Sequence, residues 1–520
     1  MKIVSRLQMQ AIESFSFQNA ITDETLINNS GLLIANFISE RFTRDSNKIT
    51  FLLGSGTNGS DGIVAASNLK SQGYDVSLVI LRPRSSNDTE LIKFKKLYDD
   101  QQSPIYDFSD NQIQQTYVDL IDKSDVIVDA IFGTGLSRPI NFELGQFIQI
   151  INENHSTNTI ISVDIPSGLN PNNGQCDPFT IIADFTLALG FPKLGHYNPL
   201  SVEYVGELNV LDIGLNQEFD VNILTTSISA PSFKDFPVRK LNSNKGSFGK
   251  TLIMGGSKNF PGSVALAANA AIRVGSGLVE GMIPSNIVGQ FVSLTPESII
   301  FSLPVDKSGE LKVSPFDNVK IASEIKKYSS ILLGCGLGVS ENKVQFVQNV
   351  LFSSDEKANF VIDADALNIL SKSYKWWDRF KHKAVLTPHL KEMSRLTRMS
   401  IEDIQNDRVE VVRHFANYWN KIIVLKGAFT LIGFPNGEIL INPQSNPLLS
   451  TAGTGDVLAG MIAGFISQGL SLEKSSELAV FLHSEIAKIE KEFKGTSGLV
   501  ASDLYNKIPE VINNYRGTSG

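Results

Sequence analysis

Cysteine is scarce in this chain, since only Cys176 and Cys335 occur among its 520 residues. Two cysteines far apart in sequence cannot build a disulfide framework or a cysteine-based metal site, and their scarcity suits a reducing compartment. The amino-terminal segment lacks the apolar core of a signal peptide. The longest uncharged apolar stretch, Val457–Leu472, is too short for a bilayer and is interrupted by glycines. We therefore predict a cytoplasmic protein with no membrane partner, in which this stretch is a buried helix.

An excess of positive charge is also missing. The chain has 46 Lys and Arg against 54 Asp and Glu, a net charge of −8, which argues against broad nucleic-acid binding. Hydrophobic residues make up 42% of the chain and charged residues 19%, so wholesale disorder is excluded. At about 150 residues per domain, the length predicts two to four domains.

Short apolar runs alternate with helical patterns in two blocks of the chain. The runs of the first block are 49–53, 75–81, 125–132, 158–165 and 184–190, and those of the second are 250–256, 328–334, 359–365, 383–388 and 421–427. Continuous apolarity is typical of parallel strands that are covered on both faces. Strand–helix alternation of this kind predicts open, doubly wound α/β sheets.

The α/β pattern breaks between Leu215 and Phe248, where the sequence is rich in Ser, Asn, Pro and Gly. Such a composition is typical of a linker, and we place a boundary near residue 225. We predict two α/β domains, residues 1–222 and residues 223–520. Their motifs differ, so we do not interpret them as a repeat.

Three glycine-containing turns follow strands of the first block: Gly54–Gly62, Asp129–Leu136 and Asp164–Gly168. In a doubly wound sheet these turns meet at one edge, where ligands bind. Glycines and a helix start after the first strand suit a phosphate, although such a turn can also be a plain connection. The oxygen-bearing side chains at these turns predict a hard-cation site or acid–base chemistry, with helix capping as the alternative. Lys193 adds a cation to the same pocket, or it lies on a loop surface.

The motifs GSGTNGSDG, DAIFGTGL, VDIPSG and FPKLGH together resemble the NAD(P)H-hydrate epimerase family over most of residues 1–215. The resemblance implies a Rossmann-like αβα fold that interconverts the R and S epimers of hydrated NAD(P)H with a bound potassium ion (K+). It implies that Asp164 is the acid–base group and that Asn58, Asp129 and Ser167 hold potassium. The hydrate-binding residues that it implies are Thr57, Asn58, Gly59, Ser60, Asp61, Gly133, Thr134, Gly135, Leu136, Ser137, Arg138, Pro139, Asp164 and Lys193. Thr57 and Ser60 stand where the family usually has Asn and Gly.

In the second block, Gly453–Asp456 precedes the long apolar stretch. Backbone N–H groups at a helix start can hold a transferring phosphoryl group, with Asp456 as the base for the attacking hydroxyl. The alternative is that Asp456 caps the helix. Lys426–Thr430 can hold an adenine nucleotide or form an ordinary turn. His389 can contact substrate or cap a helix, and no zinc spacing surrounds it.

A glycine-rich turn and a pair of carboxylates also follow predicted strands of this block. Gly334–Gly338 places bare backbone at the ligand edge of the sheet. Asp363 and Asp365 are carboxylates that either act through Mg²⁺ or are structural.

The motifs GGS…PG, GSGLV, GCGLG, DADAL, LTPH, LKGA and NP…TAGTGD occur in this order and resemble the ADP-dependent NAD(P)H-hydrate dehydratase family, a branch of the ribokinase-like αβα fold. The resemblance covers roughly residues 235–515. It implies Asp456 as the catalytic base, with Mg²⁺ and ADP as cofactor and co-substrate. The hydrate-binding residues that it implies are Ser263, Gly336, His389 and Asp456, and the nucleotide-binding residues are Lys426, Gly427, Ala428, Phe429, Thr430 and Gly455. Ser263 and Cys335 stand where the family often has Ala and Pro.

The two resemblances together imply a bifunctional repair enzyme for hydrated NADH and NADPH (NADHX and NADPHX). The second domain would phosphorylate the 6-hydroxyl of the S epimer from ADP, and loss of phosphate would restore NAD(P)H and release AMP and phosphate. The first domain would convert the R epimer to the S epimer. We also expect a homo-oligomer.

Two other functions stay open at this point. The first is a vitamin- or sugar-type small-molecule kinase fused to a dinucleotide-binding oxidoreductase; we find no Gly-x-Gly-x-x-Gly turn with a ribose-binding acid after the first strand to favour it. The second is a nucleotide sensor without catalysis, which would have no need of Asp164 or Asp456.

Overall fold

The computed structural model describes residues 1–44, 47–81, 105–107, 115–135, 138–216, 223–352 and 358–517. The chain divides into two compact units, which are Lys2–Ile223 and Leu224–Gly520, the latter joined by Met1. Each unit is an α/β structure with its own sheet and its own buried core. The predicted fold class is therefore confirmed. Within the described ranges, no helix is both long enough and apolar enough to cross a bilayer.

The described strands of the first unit form one parallel sheet. They are β1 Lys48–Leu53, β2 Asp75–Ile80, β3 Ile105–Asp107, β4 Val126–Ala130, β5 Thr159–Val163, β6 Phe185–Leu189 and β7 Glu207–Leu211. Their order is β3-β2-β1-β4-β5-β6-β7. The direction of winding reverses between β1 and β4, which is where doubly wound sheets bind ligands.

Helices cover both faces of this sheet. The described helices are Arg6–Gln18, Asp23–Ser39, Thr57–Ser71, Gln115–Asp122, Phe142–Glu153 and Val202–Val205, with a 3₁₀ turn at Leu194–Tyr197. Met9, Ile34 and Ile63 of the first three helices share a buried cluster with one face. Tyr117 and Phe147 share another cluster with the opposite face. Burial on both faces explains why these strands are continuous apolar runs.

The second unit has a larger, mixed sheet. Its described strands are β8 Thr225–Ser227, β9 Lys250–Met254, β10 Leu278–Pro284, β11 Ile299–Leu303, β12 Ser330–Leu333, β13 Asn359–Ile362, β14 Ala384–Leu386, β15 Ile422–Leu425, β16 Leu431–Gly433 and β17 Ile439–Ile441. Their order is β11-β10-β9-β12-β13-β14-β15-β16-β17-β8, and β16 runs antiparallel to both of its neighbours.

The described helices of this unit pack around that sheet. They are Pro261–Val274, Val288–Leu294, Pro315–Ile325, Glu341–Leu351, Ala364–Leu370, Trp376–Arg379, Leu390–Thr397, Ile401–Asn406, Arg408–Trp419, Thr454–Ser467, Leu472–Lys494 and Ala501–Gly517. Short 3₁₀ turns lie at Phe233–Asp235, Lys245–Phe248, Ser285–Ile287 and Pro447–Leu449.

The ten strands that apolar runs predicted are all present, but the sequence analysis missed β3, β7, β8, β10, β11, β16 and β17. Most of these lie at or near a sheet edge, where a strand is short or polar on one face. The error at β10 has a clear cause. Its first residues continue the small, apolar pattern of the preceding helix, which ends at Val274 because Gly275 adopts a left-handed φ of 111°.

The apolar stretch predicted to be a buried helix is confirmed as the helix Thr454–Ser467. This helix packs closely against Pro261–Val274 through two glycines. A Cβ atom on Gly460 would lie 2.2 Å from the Ala267 carbonyl oxygen, and one on Gly464 would lie 2.9 Å from the Ala271 Cα atom. Neither helix backbone can move away without opening the core, so both positions require glycine.

We expect Gly460→Ala to lower the free energy of unfolding of the second unit by about 1–3 kcal/mol, because the added methyl group overpacks this contact. Gly289→Ala is the matched control: it lies in the exposed helix Val288–Leu294 and its Cβ would meet nothing within 4 Å. That change should be neutral or stabilising by up to about 1 kcal/mol. Denaturant unfolding of both variants measures the difference, and equal effects would show that the helix contact is not tight.

Candidate active sites of the two units

The glycine-rich turn after β1 is confirmed as the start of a helix. The helix Thr57–Ser71 begins directly after Gly56, which has no side chain to cap the first N–H groups of the helix. A Cβ atom on Gly54 would lie 1.8 Å from the Ile131 carbonyl oxygen. Glycine at this position therefore lets the turns after β1 and β4 approach each other.

A cavity of about 520 Å³ lies at these turns. The predicted hydrate-binding residues that line it are Thr57, Asn58, Asp61, Gly133, Thr134, Gly135, Arg138 and Asp164. The facing wall comes from the first two helices, with Met9, Glu13, Phe17, Asp23 and Leu26. The turns after three strands and two amino-terminal helices thus enclose one space.

Other predicted residues do not line this cavity within the described part of the chain. Gly59 and Ser60 are in the first turn of the helix, and Ser60 is buried. Pro139 is exposed beside the cavity. Leu136 and Ser137 lie outside the described residues.

Lys193 is completely buried and acts on Asp164 instead of on the cavity. Its ammonium group donates to the Asp164 carboxylate and, at 3.1 Å, to the Leu189 carbonyl oxygen. The Leu189 N–H group also donates to Asp164 Oδ1, at 3.2 Å. The expected loop-surface alternative for Lys193 is therefore wrong. Lys193 therefore positions Asp164 through a charge-assisted hydrogen bond.

The Asp164 backbone is strained. Its φ of 65° is left-handed, which is uncommon for a residue with a side chain. Strain of this kind costs about 1–3 kcal/mol and persists where the surroundings fix the conformation. The buried ion pair with Lys193 is such a constraint, and the result is that the Asp164 side chain lines the cavity.

The Asp129 carboxylate is fully buried beneath the cavity and accepts four hydrogen bonds. The Ser167 hydroxyl donates at 2.6 Å and the Ser167 N–H group at 2.9 Å; Ser162 donates at 2.8 Å and the Ile131 N–H group at 3.2 Å. Burial raises the pKa of Asp129, and the hydrogen bonds from Ser167 and Ser162 act in the opposite direction. Asp129 is therefore a structural centre of the two turns.

The residues predicted to hold potassium offer oxygen ligands only. Asn58 donates through Nδ2 to the Val163 carbonyl oxygen at 3.2 Å, which leaves its amide oxygen for another contact. Oxygen ligands suit a hard cation such as potassium. Because the Asp129 oxygens already accept four donors, a cation held by Asp129 must replace one of them, and the Ser162 and Ser167 hydroxyl groups are the donors that can rotate away.

The turn after β1 has the glycine spacing Gly54-x-Gly56-x-x-Gly59 that dinucleotide-binding folds use. The argument against a dinucleotide-binding oxidoreductase therefore depends on whether an acidic residue lies where it could bind the ribose. Asp75 is the acidic residue about 20 positions further along. It begins β2 and pairs with Lys48 at the start of β1, at the edge of the sheet opposite to the turns. Asp75 therefore cannot bind a ribose at this cavity.

In the second unit, polar side chains follow four neighbouring strands. Cys335, Asp363, Thr387 and Lys426 come after β12, β13, β14 and β15. The Asp363 carboxylate accepts from the Lys426 ammonium group at 2.7 Å and from the Thr387 hydroxyl at 2.8 Å. These contacts place Asp363 between the turns that follow β14 and β15. Whether Asp363 also acts through Mg²⁺ stays a prediction.

Asp365 has a different role from Asp363. It accepts from the Gly338 N–H group at 2.7 Å, and so it stabilises the glycine-rich turn that follows β12. Gly334, Gly336 and Gly338 all have left-handed φ angles in this turn. Asp365 is structural.

Asp456 lies in the first turn of the helix Thr454–Ser467 and does not cap it, because the cap position is Gly453. Its carboxylate accepts hydrogen bonds from Ser263 and from the Cys335 thiol. One polar atom from each of Cys335, Asp363 and Asp456 lies within 4.8 Å of the others. The predicted alternative, an N-cap aspartate, is therefore wrong.

Burial and the negative charge of Asp363 raise the pKa of Asp456 to about 7. A carboxylate with a pKa near neutrality can accept a proton more readily than an ordinary aspartate. The Cys335 thiol is buried beside Asp456, and burial raises its pKa well above the ordinary value. Without a bound cation the thiol is therefore protonated and can donate to Asp456.

His389 is the cap of the helix Leu390–Thr397, as one alternative expected. Its Nδ1 atom accepts from the Lys391 and Glu392 N–H groups at 3.1 and 3.2 Å. Its Nε2 atom lies 3.4 Å from Glu392 Oε1, and half of the side chain is exposed. Burial and the nearby Lys426 lower the pKa of His389, so the ring is neutral. The exposed side of the ring can still contact a ligand.

The segment predicted to bind the nucleotide is an irregular turn beside the helix of Asp456. Gly427 and Phe429 have left-handed φ angles, and the buried Arg408 donates to the Ala428 carbonyl oxygen at 3.0 Å. A Cβ atom on Gly455 would lie 3.3 Å from Lys426 Nζ. The two parts of the predicted nucleotide site therefore lie next to each other.

The other predicted hydrate-binding residues also lie together. A Cβ atom on Gly336 would lie 2.8 Å from the Ser263 Cβ atom, so the turn after β12 touches the start of the helix Pro261–Val274. Because Ser263 donates to Asp456, three of the four predicted hydrate-binding residues form one contiguous group.

Sequence reasoning missed two carboxylates that the structure brings to these sites. Glu13 lines the first cavity, and burial raises its pKa to about 7. Glu392 is buried behind His389, and burial raises its pKa to about 7 as well. The signal for Glu13 was its place among apolar residues at helical spacing; no sequence signal marked Glu392.

Both halves of the chain match known families. Residues 23–195 match the family described as YjeF-related protein N-terminus, and residues 251–510 match the family described as NAD(P)H-hydrate dehydratase. The bifunctional NAD(P)H-hydrate repair enzyme Nnr of Moorella thermoacetica is 32% identical, over 99% of this chain and 97% of that protein.

The chain belongs to the family of bifunctional NAD(P)H-hydrate repair enzymes. The Nnr protein of Dictyoglomus turgidum is 33% identical, over 99% of this chain and 98% of that protein. A solved structure of the ADP/ATP-dependent NAD(P)H-hydrate dehydratase from Bacillus subtilis, co-crystallized with ATP/Mg2+, is 27% identical. It covers 56% of this chain and 100% of that one, with a TM-score of 0.46. Membership in the repair-enzyme family confirms the resemblance that the motifs indicated.

We expect Asp363→Asn to lower the pKa of Asp456 from about 7, because it removes the like charge that helps to raise that pKa. Carboxyl NMR of protein with labelled aspartate measures the titration midpoint. Asp365→Asn is the control: it keeps a hydrogen-bond acceptor for Gly338, and Asp365 is not among the groups that shift Asp456. An unchanged midpoint in Asp363→Asn would mean that burial alone accounts for the shift.

Proposed function

We propose that the chain repairs hydrated NADH and NADPH in two steps, with the first unit as the epimerase and the second as the ADP-dependent dehydratase. The observation that carries this proposal is the presence of two separate carboxylate sites, Asp164 and Asp456, in one chain of the repair-enzyme family. A nucleotide sensor would have no use for either of them, and a kinase would have no use for the first.

In the dehydratase, Asp456 would take the proton of the 6-hydroxyl group as that oxygen attacks the terminal phosphorus of ADP. The N–H groups at the start of Thr454–Ser467 would bind the transferring phosphoryl group. Hydroxide is a poor leaving group and phosphate is a good one. Loss of phosphate from C6 and of a proton from C5 therefore restores the ring double bond, and AMP, phosphate and the proton are released.

The groups around Asp456 support this role. The Lys426–Asp363 pair places a positive charge at 2.7 Å from a carboxylate oxygen, beside the predicted nucleotide turn. Mg²⁺ would arrive with the nucleotide phosphates and supply further positive charge. Ser263 donates to Asp456 and fixes the direction of its carboxylate.

In the epimerase, the hydrate would occupy the 520 Å³ cavity with its nicotinamide ring near Asp164. Thr57, Asn58 and Asp61 at the helix start would contact the hydrate. Lys193 would position Asp164 from below without contacting the hydrate. We further propose that potassium binds through Asn58, Asp129 and Ser167, where it would supply positive charge near the ring substituents.

We place the reaction in the cytoplasm, because a chain with two cysteines, one of them buried, suits a reducing compartment. We also propose a homo-oligomer. The remaining alternative is a small-molecule kinase, which would leave a stable phosphorylated product. Release of free phosphate, with return of the reduced-nicotinamide absorbance band on mixing with hydrated NADH, Mg²⁺ and ADP, separates the two functions.

We expect Asp456→Asn to reduce dehydratase turnover by about 10²–10⁴-fold, because asparagine keeps the size of the side chain and loses the basicity. Absorbance recovery from the S hydrate with ADP and Mg²⁺ measures the rate. The epimerase activity of the same variant should stay unchanged.

Asp378→Asn is the matched control, since Asp378 is exposed on the short helix Trp376–Arg379. It should dehydrate at the wild-type rate. A near-normal rate in Asp456→Asn with an unchanged melting temperature would remove Asp456 as the base.

Replacing potassium by tetramethylammonium should slow epimerisation, because the bulky cation cannot enter the oxygen site. Asp129→Asn should show the same low rate and lose its dependence on potassium; asparagine keeps one acceptor for Ser167 and limits the number of unpaired donors. The rate of R-to-S conversion is measured at constant ionic strength. Asp125→Asn, an exposed aspartate before β4, is the control. Full activity of Asp129→Asn without potassium would refute the site.

A further inference from the structure

The helix Arg6–Gln18 is fixed to the same chain segment that carries Lys193. Val4 and Lys193 pair in an isolated parallel bridge. The Val4 N–H group donates to the Pro192 carbonyl oxygen, and the Leu194 N–H group donates to the Val4 carbonyl oxygen, both at 3.0 Å. Ser5 then caps the helix through a reciprocal pair with Gln8. The position of the helix is therefore tied to the lysine that positions Asp164.

One side of this helix forms a wall of the first cavity. Met9, Glu13 and Phe17 follow each other at intervals of four residues, and all three line the cavity. Met9 is buried, and Glu13 is half-buried. A carboxylate on an apolar wall costs free energy through lost solvation, whereas the exposed side of the same helix would have carried it without cost.

No hydrogen bond or ion pair of the Glu13 carboxyl group occurs within the described part of the chain. The charged groups that act on it are Asp164, Lys193 and Asp23, and Asp61 and Arg138 line the same cavity. Burial, followed by the negative charge of Asp164, raises the pKa of Glu13 to about 7, with Lys193 acting in the opposite direction. A carboxyl group that faces a cavity without a protein partner is free to act on what the cavity holds.

We infer that Glu13 is a second acid–base group of the first site and acts across the cavity from Asp164. The inference rests on the proposed epimerase function and deepens it. Asp164 is ion-paired with the buried Lys193, whereas Glu13 forms no ion pair with any residue that the structure describes. Two carboxyl groups in different surroundings can serve as one acid and one base at the same pH.

The two groups account for inversion at C6 without a further reactant. The C6–oxygen bond breaks as Glu13 gives its proton to the departing hydroxyl group, and the lone pair of the ring nitrogen forms a carbon–nitrogen double bond. Water then adds to the opposite face of C6, and Asp164 takes the proton that this water loses. The proton returns from Asp164 to Glu13 through water, or the reverse reaction starts from the exchanged protonation states. One water leaves and one enters, so atoms and charge balance.

The test is Glu13→Gln in the full chain, with purified R hydrate of NADH and no ADP, and with both epimers separated by chromatography. We expect the epimerisation kcat to fall by about 10²–10⁴-fold with little change in KM, because glutamine keeps the shape of the wall and cannot transfer the proton. Glu24→Gln is the matched control, since Glu24 is an exposed carboxylate on the next helix. Its epimerase rate, and the dehydratase rate of all variants, should be unchanged.

The pH profile separates an acid from a merely structural residue. With Glu13 as the acid, kcat should fall as the pH rises through about 7, where Glu13 loses its proton. Glu13→Gln should lose this descending limb and become flat over the same range. The second variant is Glu13→Ala, in which added acetate should restore part of the lost rate.

The outcomes of these experiments separate the role of Glu13 from the epimerase function itself. Wild-type turnover in Glu13→Gln, an unchanged descending limb, or a folded Glu13→Ala variant that acetate does not rescue would overturn the role of Glu13. A wild-type chain that dehydrates the S hydrate but does not epimerise the R hydrate would instead overturn the epimerase function, and with it this inference.

Discussion

A buried lysine–aspartate ion pair lies at the ligand edge of each sheet, and the reactive carboxylates depend on it. In the first unit, Lys193 is completely enclosed and holds Asp164 in a left-handed backbone conformation. In the second, Lys426 holds Asp363, and burial together with the charge of Asp363 raises the pKa of Asp456 to about 7. Removing one partner of such a pair leaves the other charge buried without compensation, which costs far more than a surface ion pair contributes. Each pair joins two turns that are separated in sequence, and it places one positive and one negative group beside the site.

The two pairs place their carboxylates differently. Asp164 belongs to the pair and also lines the cavity, so the lysine acts directly on the group at the site. Asp456 is not part of the Lys426–Asp363 ion pair, and its carboxylate accepts hydrogen bonds from Ser263 and Cys335. A carboxylate that is ion-paired with a lysine is fixed in position at the cavity, whereas a carboxyl group with a pKa near neutrality suits proton exchange with a hydroxyl group. The different roles that we propose for Asp164 in the epimerase and for Asp456 in the dehydratase follow from this difference.

Much of the fold could be predicted from the sequence, because strands that are buried on both faces appear as continuous apolar runs. β1, β4 and β13 are examples. The edge strands could not be predicted in this way: β16 and β17 have three residues each, and β10 merges with the pattern of the helix before it. Their pairing depends on neighbours that a local pattern does not contain.

The sites show the same limit. Strand-end motifs located Asp129 and Asp164, because parallel strands bring their ends to one edge, and a glycine turn before a helix located Asp456. The motifs could not show that Lys193 lies beneath Asp164, or that Glu13 arrives from the amino-terminal helix. The position of Glu13 depends on a contact across more than a hundred residues, and the position of Lys193 depends on its depth of burial. Residue type alone does not specify either of them.

The glycine contact between the helices Pro261–Val274 and Thr454–Ser467 has a consequence for substrate entry. Ser263 meets Asp456, Ala267 meets Gly460, and Ala271 meets Gly464. Each contact comes four residues after the one before it in both helices, so the two helices run side by side in a fixed register. Ser263 and Asp456 form the first of these three contacts. They cannot separate unless the two helices slide past each other along their whole length. We therefore expect any movement that admits a ligand to occur in the turns around the site, while the packing of the two helices keeps Asp456 and Ser263 in place.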